Sequence, residues 1–321
     1  MQHSRSHNLW RRYIERASIL DRLMAAYIFA FTLGLAVFDF GNASFWPRVL
    51  IHCALLFLIF LTIINWGGRT AGVRGFIRQL YPVLLYPFLY LQTQVAVHWV
   101  FPGFLDRQIV ALENALFGVD PNIWLTQFES PWINEWMMMG YFSYYPLLFV
   151  TVLPLHLTGR IREVRRILLG CSIAFVISYI GFVLYPLEGP RYFLADRLSP
   201  GLEGWLFVPL VNMVIDTGAI HGGCMPSSHT AVALVVMFWM WRIRRRLAWV
   251  LLPFVATLVI ATMWGRFHYL SDVVIGALIG VAAYLVSARI DDRSAHERTA
   301  GTSSGEQSRQ TRVSTVTASP G

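Results

Sequence analysis

Eight apolar runs, separated by connections that are alternately rich and poor in arginine, constrain this chain more than any other feature. They fall near residues 19–38, 49–66, 80–100, 132–155, 167–185, 229–241, 247–264 and 268–288. A helix needs about twenty apolar residues to cross a bilayer, where backbone groups find no partners except one another. The sixth run is short, and is expected to extend past its arginine flank or to borrow from the turn before it. Arginines cluster before the first run (Arg11, Arg12, Arg16, Arg22), between the second and third (Arg69, Arg74, Arg78) and between the fourth and fifth (Arg160, Arg162, Arg165, Arg166). They cluster again between the sixth and seventh (Arg242, Arg244, Arg245, Arg246) and after the eighth (Arg289, Arg293). Retention of positive charge on the cytoplasmic side predicts both termini there and the alternate connections outside. The expected fold is all-α: a polytopic membrane helical bundle of about eight transmembrane helices, in the plasma (inner) membrane.

All 26 basic residues are arginine, and the net charge is +8, which raises nucleic acid as a partner. The arginines lie in short clusters between apolar spans without a nucleic-acid motif, so no nucleic acid is expected. Cys53 and Cys171 fall inside apolar runs, Cys224 reads as a small residue in a tight turn, and no pair has zinc-site spacing. The polar first residues and a first run that continues into a full span predict no cleavable signal. Segment 104–131 carries Leu105, Ile109, Leu112 and Leu116 at helical spacing. It is expected to lie along the membrane surface, with a cap helix packed on the bundle as the rival. Segment 186–224 is long enough to be a lid or binding loop.

Three of the outward stretches carry chemistry: Glu188-Gly-Pro-Arg191, Pro226-Ser-Ser-His229 and His268-Tyr-Leu-Ser-Asp272. The spacing of His268 and Asp272 places both side chains on one helical face. A carboxylate beside an imidazole fixes its tautomer and makes it a better nucleophile. Ionisable groups at membrane depth are costly and mark function. Arg191 can grip two phosphate oxygens, and Ser227 and the amide of Ser228 can donate to an anion at a helix N-terminus. The other histidines read as structural, with His221 close enough to stay a candidate.

These stretches resemble the type 2 phosphatidic acid phosphatase (PAP2) superfamily, which also includes vanadium haloperoxidases. Pro226-Ser227-Ser228-His229 is similar to its Pro-Ser-Gly-His motif with serine in place of glycine; His268 and Asp272 match the end of its third motif, and Arg191 matches the arginine of its first. Gly189-Pro-Arg191, His268-Tyr269 and Tyr141-Phe-Ser-Tyr-Tyr145 resemble the inositol phosphorylceramide synthase branch. The resemblance runs from about residue 106 to 288. It departs from the family in two places: no lysine occupies the first motif, and Thr262 stands where the third has arginine, with Arg266 nearby to supply the lost charge.

The resemblance implies that His268 attacks phosphorus, that Asp272 orients it and that His229 protonates the leaving oxygen. Arg191, Ser227, Ser228 and Arg266 then bind substrate. It also implies a metal-independent reaction without cofactor on a lipid-linked phosphate, with water or an acceptor alcohol completing it, among membrane lipids. The domains read as 1–18, a cytoplasmic N-terminal segment; 19–100, N-terminal transmembrane helices; 101–290, a PAP2-like catalytic membrane domain; and 291–321, a Ser- and Thr-rich disordered tail. A transporter or an inactive lipid-binding relative are the alternatives. A transporter predicts ionisable residues in mid-span and paired broken helices, whereas this chain gathers them near span ends.

Overall fold

The computed structural model describes residues 2–290, with side chains from Leu9 onward; the tail 291–321, expected to be disordered, lies outside the described residues. The first element is α1 (Gln2–Arg16), within the N-terminal segment that precedes the first apolar run. Then come α2 (Ile19–Phe38), α3 (Phe45–Trp66), α4 (Gly72–Thr93), α5 (Asp106–Phe117), α6 (Pro121–Thr126), α7 (Pro131–Phe142) and α8 (Tyr144–Leu157). They are followed by α9 (Ile161–Leu184), α10 (Pro190–Phe193), α11 (Phe207–Gly218), α12 (Ser228–Ile243), α13 (Arg245–Trp264) and α14 (Leu270–Ile290). No strand occurs among the described residues, only one isolated bridge between Leu187 and Gly223.

Each of the eight apolar runs contains helix, but the third, expected over 80–100, is helical only to Thr93, and residues 94–100 form turns. Five helices (α2, α3, α9, α13, α14) are long and apolar enough to cross a membrane, or six if α7 and α8 form one bent span. Large apolar side chains such as Phe29, Leu33, Phe57, Leu58, Trp249 and Leu278 are exposed on them, as contact with lipid requires. The chain is an integral membrane protein. α4 has the length, but its Pro82, Pro87, tyrosines and glutamines dilute its apolarity. α12 does not extend through its arginine flank: Arg244 separates it from α13, leaving 16 residues, roughly 24 Å at 1.5 Å per residue. The fourth run breaks at Ser143 with a 41° bend. Pro146 accounts for the break, since it lacks an N–H and its ring collides with the carbonyl four residues back.

α12 is the centre of the bundle, packed by α8, α9 and α13, while α2 and α4 lean on α9. Asp21 on α2 takes both guanidinium nitrogens of Arg78 on α4, at 2.9 and 2.5 Å, and the Tyr81 hydroxyl at 2.7 Å. Arg78, an orientation signal in the sequence, is therefore also half of a buried ion pair. α9 and α13 end, and α12 and α14 begin, at the same end of the bundle; the arginine-rich α8–α9 and α12–α13 connections are at the other.

α12 and α14 touch backbone to backbone. A methyl group on Gly276 would lie 2.4 Å from the Ser227 carbonyl oxygen, and one on Gly280 2.6 Å from that of Ala231. Glycines four apart allow this approach between membrane helices. Gly276→Ala is expected to lower stability by about 1–3 kcal/mol, read as a fall in Tm in detergent; an unchanged Tm would mean the helices part freely.

Segment 104–131 takes the cap arrangement rather than lying only on the membrane surface. Asp106, Glu113 and Asn122 are buried, while Leu112 and Leu116 are exposed. The acids face inward because they bind backbone N–H groups beneath them, Asp106 those of a loop and Glu113 that of Ser271 in the first turn of α14. Segment 186–224 is seated in the same way: Glu135 on α7 accepts the N–H groups of Trp205, Leu206, Phe207 and Val208 at 2.6–3.3 Å. That carboxylate caps the N-terminus of α11, where the helix dipole also favours negative charge.

Candidate active site

The three chemistry-bearing stretches meet at the end of the bundle opposite the arginine-rich connections, laced by their backbones. The Arg191 N–H donates to the Arg266 carbonyl at 2.9 Å, and that of Ser227 to the Asp272 carbonyl at 3.1 Å. The bridge between Leu187 and Gly223 joins the first stretch to the loop before the second. Asp106, fully buried, accepts the N–H groups of Glu188 and Gly189 and the Tyr269 hydroxyl, each at 2.8 Å. Glu113 accepts the N–H and hydroxyl of Ser271 at 2.7 Å, and Asn122 donates to the His268 carbonyl at 3.1 Å.

His268 precedes α14, so it reaches Asp272 by a route other than one helical face. Asp272 is the third residue of α14, and its Oδ2 turns back to accept the Tyr269 N–H at 2.9 Å, half of a capping box. That turn brings Oδ2 to 3.5 Å from His268 Nδ1, longer than a hydrogen bond. The Cys224 thiol donates to the same oxygen at 2.8 Å and lies 3.7 Å from Nδ1. Burial, then the Asp272 and Asp106 carboxylates, pushes the Cys224 thiol well above its ordinary range, so it stays a donor. Asp272 Oδ1 is buried without a hydrogen-bond partner.

The His229 ring centroid lies 5.8 Å from that of His268. Ser227 is the N-cap of α12, accepting from the Thr230 N–H at 3.3 Å, which sets His229 in the first turn. The Tyr141 hydroxyl is 3.2 Å from His229 Nε2, and the Tyr144 ring packs at 4.4 Å between centroids. These tyrosines flank the α7–α8 break, and they line His229 rather than a membrane interface. His229 Nδ1 is buried without a partner.

A cavity lined by Arg191, Tyr192, Cys224, His229, Arg266 and His268 opens beside the two rings. The Arg191 guanidinium reaches Asp216 at 3.1 Å and Asn212 at 3.4 Å, both on α11. Arg266 is buried, with φ of 64°, and donates to Glu129 at 2.9 Å, to the Ser199 carbonyl at 2.6 Å and to the Ser199 hydroxyl. It is neither a solvated arginine nor one with its whole fork free for substrate. A left-handed non-glycine costs roughly 1–2 kcal/mol, so these contacts hold Arg266 in place. The Ser227 hydroxyl is engaged with Thr230, and neither Ser227 nor Ser228 lines the cavity. Thr262 is buried, its hydroxyl donated to the Val259 carbonyl. His221 does not line the cavity but touches two residues that do, with Nε2 3.0 Å from Glu188 and its ring 4.8 Å from that of Tyr192.

Asp106, Cys224 and Tyr141 are the contributors that their sequence surroundings do not reveal as such. Only Tyr141 had a signal, its place in a tyrosine-rich stretch before a proline. Residues 107–286, more than half of the chain, match a family model described as the PAP2 superfamily. No curated protein and no solved structure matches the chain.

Proposed function

The chain belongs to the PAP2 superfamily, a superfamily of phosphatases and phosphotransferases, and on that premise we propose a membrane-embedded enzyme that cleaves the phosphoester of a lipid-linked phosphate through a phosphohistidine. The observation that carries this reading is the 5.8 Å between the rings of His229 and His268 beside one cavity. Asp272 faces Nδ1 of His268 and favours the proton there, leaving the Nε2 lone pair for phosphorus. As the P–N bond forms, the P–O bond to the leaving group breaks and His229 protonates that oxygen. Water or an alcohol then loses its proton to His229 and attacks the phosphohistidine, which returns His268 neutral. Arg191 swings from Asp216 onto the phosphate oxygens, and Arg266 adds charge from behind Glu129. The site end of the bundle faces outward, since the arginine-rich connections occupy the opposite ends.

An acceptor alcohol in place of water gives a transferase, the reaction of the inositol phosphorylceramide synthase branch. Glu188, Asn212 and Asp216 near Arg191 favour this second reading, because carboxylates and amides bind the hydroxyls of a polyol. The test is purified protein with a panel of phospholipids, with and without inositol or glycerol, products read by mass. Free phosphate or phospho-head group in water supports hydrolysis, and a new ester with the alcohol supports transfer. Lipid binding without turnover on the whole panel would leave an inactive relative. Tyr141 holds the His229 ring through Nε2, so Tyr141→Phe is expected to lower kcat roughly 10- to 100-fold with little change in KM. An unaltered kcat would remove Tyr141 from the mechanism.

A further inference from the structure

We propose that Cys224, His268 and Asp272 form a site for a thiophilic divalent cation, zinc by its ligand chemistry, and that this cation inhibits the enzyme. Among the described residues this is the one group of three potential ligand side chains whose donor atoms converge, all within 4.8 Å of one another and all buried. The Sγ–Nδ1 distance is 3.7 Å, Nδ1–Oδ2 is 3.5 Å and Sγ–Oδ2 is 2.8 Å. Tetrahedral zinc with ordinary bond lengths needs edges of about 3.6, 3.3 and 3.5 Å. Two edges nearly fit already. The third is short because an S–H···O hydrogen bond closes it, and it opens once the thiol proton leaves. The second observation pointing to a ligand is Asp272 Oδ1, fully buried and without a partner beside this group. Cys224 and His268 line the cavity, which gives a cation a way in and a water for its fourth position.

Binding releases the thiol proton to solvent and takes the Nδ1 lone pair of His268, so the imidazole proton sits on Nε2. No lone pair is then left to attack phosphorus; this inhibitory half rests on His268 being the nucleophile. The test uses full-length protein in detergent carrying Cys53→Ser, so that the exposed Cys53 contributes no thiolate. Cobalt is the spectroscopic probe and zinc the inhibitor. One equivalent of cobalt is expected to give a thiolate-to-metal charge-transfer band that zinc displaces and Cys224→Ser abolishes. Half-inhibitory zinc, relative to each variant's own metal-free rate, is expected to rise at least about 10-fold in Cys224→Ser. No charge-transfer band, or equal zinc sensitivity in both proteins, overturns the proposal. A band with no effect of zinc on turnover keeps the cation site and overturns His268 as nucleophile. If Cys224→Ser does not fold, X-ray absorption of the zinc-loaded parent decides: one sulfur neighbour supports the site, and nitrogen and oxygen neighbours alone overturn it.

Discussion

His268→Ala is expected to stop turnover, by roughly 10⁴-fold or more, and to abolish any base-stable, acid-labile phosphoenzyme. His229→Ala is expected to behave differently. A good leaving group such as p-nitrophenol departs without a proton, so this variant still forms the phosphohistidine from an activated phosphate. Its breakdown, which needs a base on the incoming water, slows by about 10²–10⁴-fold. Rapid-quench measurement with labelled substrate should therefore show phosphoenzyme accumulating in His229→Ala and none in His268→Ala. Two variants that both lack phosphoenzyme, or full turnover in His268→Ala, would refute the assignment of roles. The contrast discriminates better than loss of activity alone, because either change could misfold the site.

The second large effect is expected at Asp106, far in sequence from the residues it supports. Its carboxylate accepts two backbone N–H groups beside Arg191 and the Tyr269 hydroxyl next to His268. Burial, with Asp106 beside it, keeps the Tyr269 phenol protonated and donating. Asp106→Asn keeps the shape but turns an NH₂ group toward a donor that needs an acceptor. Each charge-assisted bond is worth about 1.5–3 kcal/mol, and a stranded buried donor costs about 1–3 kcal/mol. We expect a loss of about 3–5 kcal/mol, read as a lower Tm, and a fall in kcat/KM of at least about 10²-fold. Asp196→Asn, at an exposed acid of the 186–224 segment whose start Asp106 holds, should leave both unchanged. Wild-type behaviour of Asp106→Asn would show that the loop holds its shape unaided.

The helices were legible because hydropathy is a local property: each apolar run holds a helix, although the third stops at Thr93, short of the expected end at residue 100, and the fourth is broken at Ser143. The bend at Ser143 was not anticipated: the 24-residue apolar run reads as one span, and the proline that breaks it sits inside that run. The short α12 ended at Arg244 because α13 starts there and packs back on it. The histidines were readable since both open apolar helices beside small or acidic residues. The link from His268 to Asp272 was right as a pairing and wrong as a helical face, since a capping turn made it. Asp106 and Cys224 were not readable, because their partners lie 163 and 48 residues away. An acid in a polar connection looks solvated until a loop folds over it. Arg266, read in the sequence as a source of charge for substrate, is held by Glu129, 137 residues distant, a partner that no local pattern announces.

The bonds from Arg191 to the Arg266 carbonyl and from Ser227 to the Asp272 carbonyl have a consequence for how such a site can be transplanted or can drift. Neither contact depends on a side chain, so no point change at a donor or acceptor repairs a mismatch between loops of different parentage. A chimera that imports one motif alone inherits a carbonyl aimed at the wrong amide. Only a graft that moves all three together, with the acid that seats the first, preserves the register. Recombination among relatives should accordingly succeed at crossover points before residue 106 and fail at those between 192 and 265.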